Sequence, residues 1–184
     1  MISSRSAVRG VEIARGADLP LEIIRKRDFA GPREFSHAIS TALDTAGVDL
    51  VAMCGFLCLW QFPACYGGRV LNIHPALLPR FGGRGMFGMH VHEAVLAAGV
   101  AESGCTVHLA DAEYDHGPTV AQRRVPVLPG DTADVLAARV GQAERELYPE
   151  VIQGVADNGL PWLARQAELF RTQHAADPEG RESV

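Results

Sequence analysis

The sequence predicts an α/β fold with a mostly parallel sheet and an antiparallel extension. Strand-like and helix-like segments alternate up to about residue 100, which is typical of parallel sheets. The run Val48–Met53 is apolar on both faces, as a strand covered by helices on both sides would be. Two later β-rich runs, Cys105–Ala110 and Thr119–Val127, follow each other closely and favour antiparallel pairing.

The first half of the chain supplies the alternating elements. A helix is predicted over Ala7–Arg15, because apolar residues recur at helical spacing and Gly16 follows to end it. A β-prone run at Leu21–Ile24 and an amphipathic helix at Phe35–Gly47 come next. Two strands follow at Val48–Met53 and Arg69–Ile73, and then a helix at His90–Ala98.

After the two β-rich runs, a turn at Pro129–Asp131 leads into a long helix predicted over Thr132–Val155. Residues beyond Asn158 are mostly polar, with a few apolar side chains spaced among them. We therefore expect one folded domain over residues 1–155 and a loosely attached C-terminal tail over residues 156–184.

Composition limits the classes of function. The 184 residues carry a formal charge of −5, which argues against nucleic acid as the main partner because phosphate backbones require a basic face. The longest apolar stretch, Val48–Trp60, is too short to span a bilayer, and the first residues do not have the layout of a signal peptide. We expect a cytoplasmic protein. Its four cysteines form no Cys-x-x-Cys pair, so reduced thiols are favoured over zinc ligands or disulfides.

The segment around Asn72 and His74 carries the strongest sign of chemistry. In a strand these two side chains point to the same side, about 6–7 Å apart, and they lie at the strand's carboxyl end, where α/β sheets bind ligands. An amide and an imidazole suit acyl transfer, in which negative charge develops on a carbonyl oxygen. The alternative is that both groups only cap the end of the strand.

A second candidate is Asp115, which lies between the two β-rich runs. A carboxylate in such a loop commonly serves the turn itself. If it instead pairs with His74, it would orient the imidazole, raise its pKa and favour the protonated form that stabilises an oxyanion. The sequence does not establish that the two side chains meet.

Three motifs, in this order and spacing, resemble the folate-dependent formyltransferase family. They are Asn72-x-His74-Pro75-x-Leu77-Leu78-Pro79, then Gly104-x-Thr106-Val107-His108, then Asp115-x-Gly117-Pro118-x-x-x-Gln122. The resemblance covers about residues 1–155. It implies a Rossmann-like fold and formyl transfer from 10-formyltetrahydrofolate to an amine without a metal. It further implies that Asn72, His74 and Asp115 are catalytic, and that the Leu78–Pro79 bond is cis.

The resemblance also implies which residues bind the substrates. Glu144 and Tyr148-Pro149 on the long helix are similar to the branch of the family that acts on glycinamide ribonucleotide in de novo purine biosynthesis, where the matching glutamate meets the amine. The residues that match the family's folate site fall in two segments: Leu57, Cys58, Leu59 and Trp60, then Ala112, Glu113 and Tyr114. The alternatives are another amine acceptor, a formyltetrahydrofolate hydrolase, or a fragment without catalysis.

Some segments depart from the family pattern. Ile2-Ser3-Ser4 matches the end of the second strand, so we expect the first strand and its phosphate-binding loop to be missing. The exposed sheet edge that this leaves would favour self-association. Phe81–Met89 is glycine-rich and about four residues longer than usual, next to the expected entrance of the site. For His90 and His92 we favour surface or capping roles over a metal site.

Overall fold

A computed structural model describes residues 1–175 and divides the chain into two compact units. The first unit comprises Met1–Asp49 and Gly55–Gly67, and the second comprises Leu50–Cys54 and the chain from Gly68 onward. Within the described residues, no helix is both long enough and apolar enough to cross a membrane.

The first unit contains a small parallel sheet and two helices. Strand β1 (Ile2–Ser3) pairs with β2 (Glu22–Ile23), and helix α1 (Arg9–Gly16) connects them. Helix α2 (Pro32–Thr45) begins with a proline, whose fixed φ suits the first helical position. Both helices are amphipathic, and their inward faces bury Val11, Ala14, Phe35 and Ile39.

The second unit is built on a four-stranded sheet with the order β3-β4-β5-β6. The strands are Val51–Met53, Val70–His74, Glu102–Leu109 and Thr119–Pro126. Strands β3 and β4 are parallel, whereas β5 is antiparallel to both β4 and β6. The predicted α/β class and the antiparallel extension are therefore confirmed.

Helices α4 (Ala133–Asn158) and α5 (Pro161–His174) pack on this sheet, and α3 (Met89–Ala97) packs against α4. Thr132 caps α4, because its side-chain oxygen accepts a hydrogen bond from Val135 N at 3.3 Å. Apolar side chains from the sheet and helices form one buried core, which includes Leu71, Val95, Val107, Leu136, Val140, Val151 and Leu163. This core fixes β4 and β5, the two strands that carry the candidate site.

The prediction that Val48–Met53 is a fully buried strand was wrong. Strand β3 is only three residues long, and its side chains are half-buried or exposed. Among the described strands it lies at the edge of the larger sheet, where only β4 covers it. An apolar sequence predicts a strand but does not determine which neighbours that strand acquires. Self-association through this edge stays a prediction.

The expectation of a loose tail was also wrong for the described residues. Helix α4 continues to Asn158, and α5 then packs against β6 and α4. Leu163 and Ala167 are buried, and the ring of Trp162 contacts Gly154 of α4. The few apolar residues in this polar stretch fall on one helical face and therefore suffice to attach it to the core. The domain boundary at residue 155 stays a prediction.

We expect Leu163→Ala to destabilise the protein by about 2–5 kcal/mol, because it removes a fully buried side chain and leaves a cavity in the core. Urea unfolding followed by circular dichroism measures this change in the free energy of unfolding. Leu169→Ala is the matched control, because Leu169 lies on the same helix but is 51% exposed. Equal stabilities of the two variants would show that α5 is not part of the cooperative core.

Candidate active site

Strand β4 places Asn72 and His74 on one side of the sheet at the strand's carboxyl end. In the register with β5, Asn72 lies opposite His108 and His74 lies opposite Thr106. The loop that follows β5 brings Asp115 to the same place. The structure therefore brings together the three side chains that were proposed from the sequence as catalytic.

His74 is the most enclosed of these three side chains, with 4% of its surface exposed. Its Nε2 lies 2.8 Å from Phe81 O, and its Nδ1 lies 3.4 Å from Asp115 Oδ2. Both ring nitrogens thus face oxygen acceptors, an arrangement that favours a proton on each.

Burial of the His74 ring works against that charge. It lowers the pKa of His74, while the Asp115 carboxylate and the Phe81 carbonyl act in the opposite direction and are outweighed. The net pKa of His74 is therefore lowered, where the sequence led us to expect a raised one, and its protonation by Asp115 stays a prediction. The carboxylate does raise the pKa of the ring, as expected, but the sequence did not reveal how deeply the ring is enclosed.

Asp115 is held in place by three neighbours. Its Oδ2 accepts a hydrogen bond from Gly83 N at 3.0 Å, and its Oδ1 lies 3.4 Å from the amide nitrogen of Asn72 and 3.6 Å from His108 Nε2. Its φ of +55° is a left-handed conformation that aspartate tolerates better than most residues. Burial raises the pKa of the carboxyl, but His108, His74 and Gly83 together outweigh it, so the net pKa is lowered and the ionised form is favoured.

His108 is a member of this cluster that the sequence analysis did not identify as a site residue. Its side chain is 2% exposed. Nδ1 lies 3.1 Å from Leu109 O, and Nε2 lies 3.1 Å from Asn72 Nδ2. Side chains alternate along β5, so the residue paired with Asn72 could have been identified as a member of the site. That identification requires the register between β4 and β5, which the sequence does not contain.

Two further polar side chains hold the turn after β4. Thr106 Oγ1 donates to Ala76 O at 2.6 Å and accepts from Leu78 N at 3.0 Å. Gln122 donates to Leu78 O at 2.9 Å and to Thr106 Oγ1 at 3.0 Å. The Leu78–Pro79 bond is cis, as the resemblance implied. This network anchors the start of the loop that carries Phe81 and Gly83.

Glu144 lies on α4, and its carboxylate has no hydrogen-bond partner among residues 1–175. Burial raises its pKa, and the nearby Arg145 opposes this only in part. Burial and the charge of Glu144 both raise the pKa of the Cys54 and Cys105 thiols, so Glu144 lies near Cys54, just after β3, and near Cys105 within β5. One turn along the helix, the Tyr148 hydroxyl donates to Leu71 O at 3.1 Å and to Met53 O at 3.2 Å. These bonds fix α4 against β4 and β3.

The residues expected to bind folate fall in both units. Leu57–Trp60 belongs to the first unit and Ala112–Tyr114 to the second. Within the first unit, Trp60 is buried, and its indole N–H donates to Ser36 O at 3.2 Å. Leu57 and Tyr114 are exposed, and Cys58 is a half-buried free thiol. Trp60 therefore also has a structural role in fixing its own segment on α2.

The two histidines at the start of α3 differ in their environments. His90 is exposed, as expected, but His92 is buried, and its Nδ1 has no hydrogen-bond partner among the described residues. A surface role for His92 is therefore wrong. In the described part of the chain, no group of three or more His, Cys, Asp or Glu side chains is placed to hold a metal ion.

Comparison with protein families gives a match to the model described as formyl transferase over residues 1–152. Among curated proteins, the chain is 38% identical over 176 residues to a chloroplastic phosphoribosylglycinamide formyltransferase of Vigna unguiculata, covering 94% of this chain and 56% of that protein. It is 31% identical to the phosphoribosylglycinamide formyltransferase of Haemophilus influenzae, covering 87% and 74% of the two chains. The chain thus spans little more than half the length of the plant relative.

Solved structures give the same result. The crystal structure of glycinamide ribonucleotide transformylase 1 from Symbiobacterium toebii is 37% identical, with a TM-score of 0.78 over 85% of this chain and 72% of the other. The phosphoribosylglycinamide formyltransferase of Streptococcus pneumoniae is 32% identical, with a TM-score of 0.74 over 84% of each chain. The Rossmann-like formyltransferase fold that the resemblance implied is thereby shown.

Proposed function

The chain belongs to the formyl transferase family, and from this premise we propose that it transfers the formyl group of 10-formyltetrahydrofolate to the amine of glycinamide ribonucleotide. This reaction is a step of de novo purine biosynthesis. The observation that carries the proposal is the buried cluster at the end of β4, in which Asp115 lies beside His74 and Asn72. The identity to relatives of this named activity supports the choice of amine.

In the proposed reaction, the amine nitrogen attacks the formyl carbon, and the carbonyl oxygen becomes an oxyanion. The bond between the formyl carbon and folate N10 then breaks, and the proton lost by the amine is taken up by N10. The side chains must therefore stabilise the oxyanion and help to move one proton, and neither task requires a covalent bond to the protein.

His74 suits the first task. Its Nε2 faces Phe81 O, a carbonyl that can only accept, so Nε2 is a hydrogen-bond donor. We propose that this N–H turns from Phe81 O to the oxyanion as charge develops there. Enclosure strengthens such an interaction, because few water molecules compete with the donor.

Asp115 suits the second task. Its lowered pKa keeps the carboxylate ionised at neutral pH, ready to hold a water molecule that relays the proton from the amine to folate N10. Its hydrogen bond from Gly83 N and its neighbour His74 fix the direction of this carboxylate. A folate-binding role for Leu57–Trp60 of the first unit, and one for Ala112–Tyr114 of the second unit, stay predictions, and a cytoplasmic location is part of the same proposal.

The direct test is an assay of the full-length protein with 10-formyltetrahydrofolate and glycinamide ribonucleotide, in which tetrahydrofolate and the formylated product are measured separately. We expect the two products in equal amounts and only when the amine is present. Formate release without the amine would show a hydrolase instead. If the formyl group is transferred only to a different amine, the proposed chemistry stands but glycinamide ribonucleotide is not the acceptor.

Glu144 offers a second test, because a carboxylate without a protein partner is available to bind the ammonium form of the substrate. Losing such a charged hydrogen bond costs about 1.5–3 kcal/mol, so we expect Glu144→Gln to raise the KM for glycinamide ribonucleotide about 10- to 100-fold. The KM for 10-formyltetrahydrofolate should change little. Steady-state kinetics with each substrate varied in turn would measure both.

The same variant should be more stable than the wild type at neutral pH. Since burial raises the pKa of Glu144 above its ordinary value of 4.5, ionisation of this residue opposes folding at higher pH. The gain from Glu144→Gln should therefore vanish as the pH falls below 4.5. Glu146→Gln is the matched control, since Glu146 is exposed and pairs with Arg123, and it should give no gain. A Glu144→Gln variant no more stable than wild type at pH 7 would contradict this account.

A further inference from the structure

The Asn72 side chain is oriented by its neighbours. Its amide nitrogen lies 3.1 Å from His108 Nε2 and 3.4 Å from Asp115 Oδ1. An amide group has two N–H donors, and these two acceptors use both. Among the described residues, Asn72 Oδ1 has no hydrogen-bond partner, and the side chain is only half-buried. The oxygen is therefore the end of the amide that remains open to a ligand.

His108 determines this orientation through its tautomer. Its Nδ1 lies 3.1 Å from Leu109 O, a carbonyl that can only accept, so Nδ1 carries the hydrogen. In the neutral ring Nε2 is then an acceptor, and the Asn72 N–H is the donor it faces.

The opposite orientation of the Asn72 amide is disfavoured by the same neighbours. It would place Asn72 Oδ1 about as close to the Asp115 carboxylate as Nδ2 lies now, which sets two acceptors against each other. It would also require a charged His108 with a proton on both ring nitrogens. The His108 ring and the Asp115 carboxylate therefore both favour the orientation in which the Asn72 NH₂ group faces them.

We propose that His108 is a positioning residue that holds Asn72 with its oxygen towards the substrate, so that Asn72 accepts a hydrogen bond from the attacking amine. The inference rests on the proposed formyl transfer. It assigns Asn72 to the nucleophile and leaves the oxyanion to His74. The Asn72 oxygen takes no proton in this step. It aligns the amine lone pair with the formyl carbon while the proton leaves by way of Asp115.

Two His108 variants separate positioning from simple packing. In His108→Gln, the amide oxygen takes the place of Nε2 as an acceptor, whereas His108→Leu fills the space without one. We expect His108→Leu to lower kcat about 10- to 100-fold, because the Asn72 N–H then loses its partner and the amide is free to turn. His108→Gln should retain most of the wild-type kcat. Equal losses in the two variants would overturn the proposal.

Nuclear magnetic resonance on the full chain tests the orientation without any assay of activity. With nitrogen-15 labelling, His108 should show a hydrogen on Nδ1 and none on Nε2, and the Asn72 NH₂ protons should be protected from exchange. That protection should be lost in His108→Leu. A hydrogen on His108 Nε2 at neutral pH would overturn the proposal even if formyl transfer is confirmed. If formyl transfer itself fails, these spectra still decide the placement of Asn72.

Discussion

Replacing His74 with alanine, or Asp115 with asparagine, should lower formyl transfer to glycinamide ribonucleotide by about 10²–10³-fold, the usual effect of losing a donor to an oxyanion. His74→Ala removes the enclosed N–H that would meet the oxyanion. Asp115→Asn keeps the size of the side chain but removes the charge that would hold the proton-relaying water. The measurement is kcat for the full-length protein at saturating concentrations of both substrates.

The control for this experiment is His90→Ala, because His90 is also on the second unit but is exposed. It should retain wild-type turnover. Thermal unfolding of each variant shows whether a loss of activity comes from unfolding, and we expect the His74 and Asp115 variants to remain folded under assay conditions. Wild-type turnover in His74→Ala would exclude the proposed mechanism.

The second large effect is expected at Gly117, where alanine should destabilise the protein by about 1–3 kcal/mol or more. An added Cβ would lie 1.9 Å from Leu109 O, a backbone atom that cannot move without shifting the end of β5. The same carbonyl accepts from the His108 ring. Because Gly117 is two residues after Asp115, the shift should also displace the Asp115 carboxylate, and in the proposed mechanism such a displacement can lower kcat by about 100-fold.

Gly10→Ala is the control for this second prediction. Gly10 lies within α1, and an added Cβ there meets no atom within 4 Å. Since alanine is favoured over glycine inside a helix by about 0.5–1 kcal/mol, this variant should be slightly more stable than the wild type. Chemical unfolding of both variants measures the difference. A Gly117→Ala protein with wild-type stability and turnover would contradict the close approach of the two backbone segments.

The long and strongly patterned elements were predictable from the sequence. Helix α4 was expected over Thr132–Val155 and is found at Ala133–Asn158, with Thr132 as its cap. The strand that carries Asn72 and His74 was expected within one residue of its observed bounds. Such elements follow local rules, because periodicity and end signals lie within the segment that they describe.

The sequence predicted three of the residues in the site but not the pKa shift of His74. Asn72, His74 and Asp115 were named from the motifs, and the structure places them together. The direction of the His74 pKa shift was wrong, because the sequence reveals a charged neighbour but not the burial that outweighs it. His108 was present in a motif, but its contact with Asn72 depends on the pairing of β4 with β5.

The sequence by itself determined the α/β class, the order of the elements up to α4 and the face of β4 on which Asn72 and His74 lie. These properties depend on spacing along the chain, which is a local quantity. Only the tertiary structure decided how little of β3 is buried, that α5 joins the core, and that the Asn72 amide nitrogen faces His108 and Asp115. Each of these depends on which distant residues become neighbours, and the burial and hydrogen bonds that result are not encoded in any single segment.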